Sequence, residues 1–170
     1  MAIELYSDIG FLLSINNITF FGCLPLSSKA YPNNEHADTL NKLAHYLAGL
    51  IEGDGSIKVP KSTRSKTDRL LYPVISIIFN IKDLPLANFL GSVLGGRVNF
   101  TKGNWVVLNI NKVENIYYIV KTLNGKFRTP KIEALHRLIK WYDNYGKFPY
   151  IKALTLDDFD LSQSGWLSGF

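Results

Sequence analysis

The chain is almost without cysteine: Cys23 stands alone among 170 residues, which excludes an internal disulfide and any cysteine-built zinc site. Histidine is nearly as scarce, and His36, His45 and His136 are scattered with no metal-ligand spacing. Arginine numbers only 5, against 14 lysines, 14 asparagines and 16 isoleucines. That bias favours A/T-rich codons and points to an organellar gene. Long hydrophobic runs are missing too. The apolar stretch 9–26 is broken by Asn16 and Asn17, too interrupted for a membrane span. Glu4 and Asp8 before it carry the wrong charge for the start of a secretory signal. What remains, 46% hydrophobic and 19% charged, is the composition of a soluble globular protein with one core of ordinary size.

Acidic residues are few where basic ones are many. Residues 56–140 hold 15 Lys/Arg against Asp68, Asp83, Glu114 and Glu133, a net of +11, whereas residues 1–38 carry a net of −3. So concentrated a positive charge implies a polyanionic partner, nucleic acid above all.

The stretch that organises the chain is 39–57, TLNKLAHYLAGLIEGDGSI. Asp38 and Thr39 can cap the free amides of a helix. Leu40, Leu43, Ala44, Leu47, Leu50 and Ile51 then recur at the spacing of one apolar helical stripe. His45, Ala48, Gly49 and Gly53 lie on the other side. Each mid-helix glycine costs roughly 1 kcal/mol against alanine, so Gly49 and Gly53 imply a second helix approaching closely enough for backbones to touch. Glu52 and Asp54 end the helix. Carboxylates at the partially negative end of the helix dipole call for a cation, and Mg²⁺ suits an oxygen-ligand site.

Leu47 to Gly55, LAGLIEGDG, resembles the signature helix of the LAGLIDADG homing endonucleases, with Glu52 and Gly53 as variants of its Asp and Ala. The resemblance implies an α+β module of order αββαββα, a four-stranded antiparallel saddle sheet under helices. The remaining sequence offers matching elements. Ser56, Ile57, Lys58 and Val59 suit a short strand, 71–81 (LYPVISIIFNI) a second, and 83–94 a helix with Pro85 in its first turn. Residues 97–101 and 105–110 form a hairpin across Lys102-Gly103-Asn104. Helices over 113–123 and 131–142 follow. One sheet face is expected to bury Val74, Ile78 and Trp105 under the helices, leaving the other for polar side chains.

The resemblance divides the chain into a variable N-terminal extension (1–37), the module (38–147), an acidic inter-module linker (148–164) and the start of a second signature helix (165–170). The last assignment rests on Trp166-Leu167-Ser168-Gly169-Phe170, which repeats the class order of Tyr46-Leu47-Ala48-Gly49-Leu50 at an offset of 120 residues. A second module, in cis or in trans, is therefore an expected partner.

By the same resemblance Asp54 is the catalytic, metal-ligating acid, for Mg²⁺ or another divalent cation such as Mn²⁺, with Glu52 secondary. Lys131, following Pro130, is the basic residue near the metal-bound water, or else merely opens the last helix or touches a phosphate. Lys58, Lys61, Arg64, Lys66, Arg69, Arg97, Lys102 and Arg128 are expected on double-stranded DNA, strands lying along the major groove. Loop 61–69 has a lesser alternative reading as a solvated hairpin tip. The activity implied is metal-dependent, site-specific DNA cleavage in intron homing, with a mitochondrial origin. Two alternatives stay open: an intron maturase binding RNA, and a non-catalytic DNA-binding remnant.

Overall fold

The computed structural model describes residues 34–62 and 64–170. The apolar stretch 9–26 and most of the expected N-terminal extension lie outside the described residues. Helix α1 (Asn34–Asp54) leads directly into β1 (Gly55–Lys58). β2 (Val74–Asn80), α2 (Leu84–Leu94), β3 (Arg97–Phe100), β4 (Trp105–Ile110), α3 (Val113–Leu123) and α4 (Ile132–Tyr145) follow, and a single turn, α5 (Trp166–Gly169), closes the chain. The order is that of the expected α+β module. No described helix is long and apolar enough to cross a membrane.

Local chemistry explains where the boundaries depart from expectation. α1 opens at Asn34, so Asp38 and Thr39 lie inside it and not at its start. β2 starts at Val74, not Leu71, because Pro73 has no N–H to give a ladder. It ends where the Asn80 side chain accepts from Lys82 N–H at 3.0 Å and bends the chain into a short 3-10 turn.

The four strands form one antiparallel sheet, ordered β1-β2-β4-β3. Its covered face carries Ile75, Ile77 and Phe79 from β2 and Val106, Leu108 and Ile110 from β4, all buried. Ala87, Leu90 and Leu94 of α2, Ile116, Ile119 and Val120 of α3, and Leu135 and Leu138 of α4 join them in a single core. The expected face assignment is thus inverted. Ile78 is 48% and Trp105 51% exposed, since both strands alternate one residue out of step with the expected set and turn these side chains to the open face. Period-2 alternation lets a one-residue shift move every side chain to the other face.

Candidate active site and nucleic-acid face

α1 carries its signature residues on two sides. Leu47, Leu50 and Ile51 enter the core, while the glycine side faces α5. The helix ends at Asp54 because the chain doubles back tightly. A Cβ on Gly55 would lie 2.7 Å from the Ile51 carbonyl oxygen, so only glycine fits there. This turn leaves the Asp54 carboxylate exposed at the helix terminus, and no hydrogen-bond or ion-pair partner holds it among the described residues.

Beside it, the Lys131 ammonium donates to three carbonyls of the helix end: Ile51 at 3.1 Å, Glu52 at 2.6 Å and Gly55 at 3.0 Å. An ammonium has three donors, and here all three serve as a C-terminal cap. Lys131 is delivered by the turn into α4, where Ile132 N–H donates to Thr129 O at 3.1 Å and Glu133 N–H to Pro130 O at 3.1 Å.

Glu52 points the other way, into the protein, and is only 5% exposed. Its carboxylate accepts from Arg128 N–H at 3.1 Å, from Thr129 N–H at 2.7 Å and Oγ1–H at 2.6 Å, and from Trp166 Nε1–H at 2.6 Å. It therefore ties α1 to the loop that presents Lys131 and to the first residue of α5.

The glycine side meets α5 at backbone distance. A Cβ on Gly49 would clash with the Trp166 carbonyl and sit 3.1 Å from Phe170 N. A Cβ on Gly169 would clash with the Tyr46 carbonyl and sit 2.8 Å from Leu50 N. Shifting 49, 166 and 170 by the offset of 120 residues exchanges the two sets of contacts, so the two segments meet reciprocally. Gly53 faces Phe170 O at 3.2 Å, and Ala48 beside it is fully buried.

The approach to α5 is latched by the linker. Arg128 donates to Asp157 Oδ2 at 2.8 Å and to the Phe159 carbonyl, and His45 Nε2 lies 3.3 Å from the same carboxylate. Arg128, expected on DNA, is thus turned inward; its guanidinium is spent on the folded-back acidic linker. Asp160 then caps the turn before α5 by accepting from Ser162 N–H at 2.9 Å, a bond that holds its carboxyl below the usual range.

The other expected cations lie outside this cluster. Lys58 of β1 and Arg97 of β3 are exposed at opposite edges of the open face, with Lys102 in the β3–β4 turn. Lys61, Arg64, Lys66 and Arg69 are exposed on the loop between β1 and β2. Arg64 pairs with Asp68 at 3.0 Å, an exposed contact of little energetic weight.

Residues 47–142 match the family described as LAGLIDADG endonuclease. The chain belongs to that family. Among curated relatives it is 34% identical over 158 residues to the intron-encoded DNA endonuclease aI3 of Saccharomyces cerevisiae, an alignment covering 84% of this chain and 38% of that protein. It is 29% identical over 133 residues to an uncharacterized cox1 intron-2 protein of Schizosaccharomyces pombe, over 76% of this chain and 38% of that one. The chain therefore spans well under half the length of either relative. The homing endonuclease I-CvuI, solved in complex with its target, superposes with a TM-score of 0.49 at 14% identity, covering 72% of this chain and 90% of that one.

Within this LAGLIDADG chain, two features lay beyond sequence reading. Glu52 reaches partners 76 to 114 residues away, and no local pattern announces such a tie. The Arg128–Asp157 pair is hinted at only by a lone arginine and an acidic linker of opposite charge.

Proposed function

We propose that this chain forms one module of a metal-dependent, site-specific DNA endonuclease of the intron-homing type, of organellar, mitochondrial origin. The observation that carries this reading is Asp54, an exposed carboxylate without a partner among the described residues, at the negative end of α1 and immediately beside the seam where a second helix begins. Such a group is stabilised there by a cation. Asp54 is the residue that would hold Mg²⁺ or Mn²⁺. Among the described residues no three His, Cys, Asp or Glu side chains gather into a ligand set; Asp54 would hold the ion together with substrate phosphate oxygens and a second signature acid. Bound there, the metal supplies an activated water and charge stabilisation at the leaving oxygen.

The chain's own residues do the positioning. The reciprocal glycine contact supports reading 165–170 as the start of a second signature helix, which would bring its acid next to Asp54. Lys131 fixes the end of α1 and adds positive charge beside it. Lys58, Arg97, Lys102 and the cations of loop 61–69 seat duplex phosphates while the sheet enters the major groove. Asp54→Asn in the full-length protein is the test. Plasmid cleavage in Mg²⁺ is expected to vanish with duplex affinity retained. Undiminished cleavage would remove Asp54 from the chemistry.

A further inference from the structure

The open face of the sheet is polar and cationic at its edges but apolar at its centre. Ile78 of β2 and Val107 of β4 are register partners, and Trp105 lies two residues along β4 on the same face. With Thr101 they line a shallow depression, and the two largest are about half exposed. The core helices cover the opposite face, so nothing among the described residues shields this patch. Around it the polar groups are accounted for or edge-on. Ser76 Oγ–H donates to Asn109 Oδ1 at 2.7 Å, while Asn80 and Asn99 stand opposite Trp105 and Val107 in the ladder. Lys58, Arg97 and Lys102 are exposed at the rim.

We propose that Ile78, Val107 and Trp105 form a specificity site for the 5-methyl groups of adjacent thymines in the target duplex. This rests on the nuclease reading given above. The methyl of thymine is the apolar feature of the major-groove edge. Pressed against any other base edge, an apolar patch would desolvate donors and acceptors without replacing their hydrogen bonds. The cationic rim selects the occupant: backbone phosphates are seated on either side of the patch, which suits a duplex and not another apolar protein surface. The polar Ser76–Asn109 pair satisfies itself, which leaves the apolar centre as the discriminating element of its row.

The experiment selects a duplex from a random-sequence library with the full-length protein carrying Asp54→Asn. Each thymine of that duplex is then replaced singly by deoxyuridine, which keeps every hydrogen-bonding group and removes the methyl. Affinity is expected to fall about fourfold per methyl at a few neighbouring positions. Trp105→Ser, or Ile78→Thr with its strand-compatible branch, should abolish the difference between thymine and uracil there while keeping the salt dependence of binding. Uracil tolerated everywhere, or a penalty that persists in both variants, overturns the proposal and leaves the nuclease reading standing. A shift of oligomeric state with Trp105→Ser, seen by light scattering, also overturns it, by making the patch a protein contact. Failure to enrich any duplex would instead bring down the nuclease reading itself.

Discussion

The indole of Trp166 donates to the Glu52 carboxylate at 2.6 Å across 114 residues of sequence. Both side chains are buried, so the bond is made away from water, where leaving an acceptor short is costly. Trp166→Phe retains an aromatic ring to stack on Phe170, whose ring centre lies 4.6 Å away, but removes the N–H together with part of the buried indole. It is expected to cost about 1–3 kcal/mol of stability, read as a lower urea midpoint with unchanged slope. An unchanged midpoint would mean that Glu52 is adequately served by Arg128 and Thr129 alone.

The glycine seam gives a prediction whose sign is diagnostic. In an exposed helix, Gly→Ala stabilises by about 1 kcal/mol. Here the added Cβ of Gly49→Ala meets the backbone of Trp166 and Phe170, which cannot swing aside as a side chain can. The melting temperature should therefore fall, and Gly169→Ala should act alike because it meets Tyr46 and Leu50. A rise in melting temperature for either variant would mean that α1 and α5 are not in backbone contact in solution.

Much of this architecture is written in local patterns. The signature helix announces itself by a stripe, two glycines and terminal acids, and Gly103 and Gly125 mark turns where the backbone takes a positive φ. The inside of the sheet is harder to read. Leu71 to Ile81 is apolar at most positions, so its inside set is marked by two polar residues alone. Ser76 and Asn80 share the face of Ile78, and pairing with β4 then buries Ile75, Ile77 and Phe79 on the other. Long-range polar ties escape sequence reading. Arg128 looks like any basic loop residue until the linker folds back to place Asp157 against it.

Arg128 and the loop cations should consequently separate in salt titrations of DNA binding. Replacing Arg64, Lys66 and Arg69 together by Ala is expected to flatten the log–log salt dependence by up to about 3 units, roughly one for each phosphate no longer neutralised. Arg128→Ala should leave that slope alone and lower stability by about 3 kcal/mol, since it strands the Asp157 carboxylate in a partly buried site. A slope that drops with Arg128→Ala and not with the triple variant would exchange their roles.

Lys131 offers the sharpest test of how the site is held. Its ammonium bonds three carbonyls at the end of α1, where the helix dipole leaves partial negative charge. Lys131→Met keeps an apolar stem of similar length and removes the charge and all three donors. Charged hydrogen bonds contribute about 1.5–3 kcal/mol each but not additively, so a net loss of about 2–3 kcal/mol is expected. Lys131→Arg should rescue poorly, because a flat guanidinium cannot point donors at three converging carbonyls. The same cap fixes the turn that carries Asp54. Cleavage by the folded protein should therefore fall about 100-fold in kcat, the scale of a misplaced or missing proton-transfer group. Duplex affinity should hold, since the strand and loop cations are untouched. Measuring melting temperature, duplex affinity and kcat on one preparation separates the possibilities. A variant that melts like the wild type shows that the cap contributes nothing and that the ammonium is free for phosphate. A variant that melts early but cuts at full rate while folded confines Lys131 to the scaffold and removes it from the proposed chemistry.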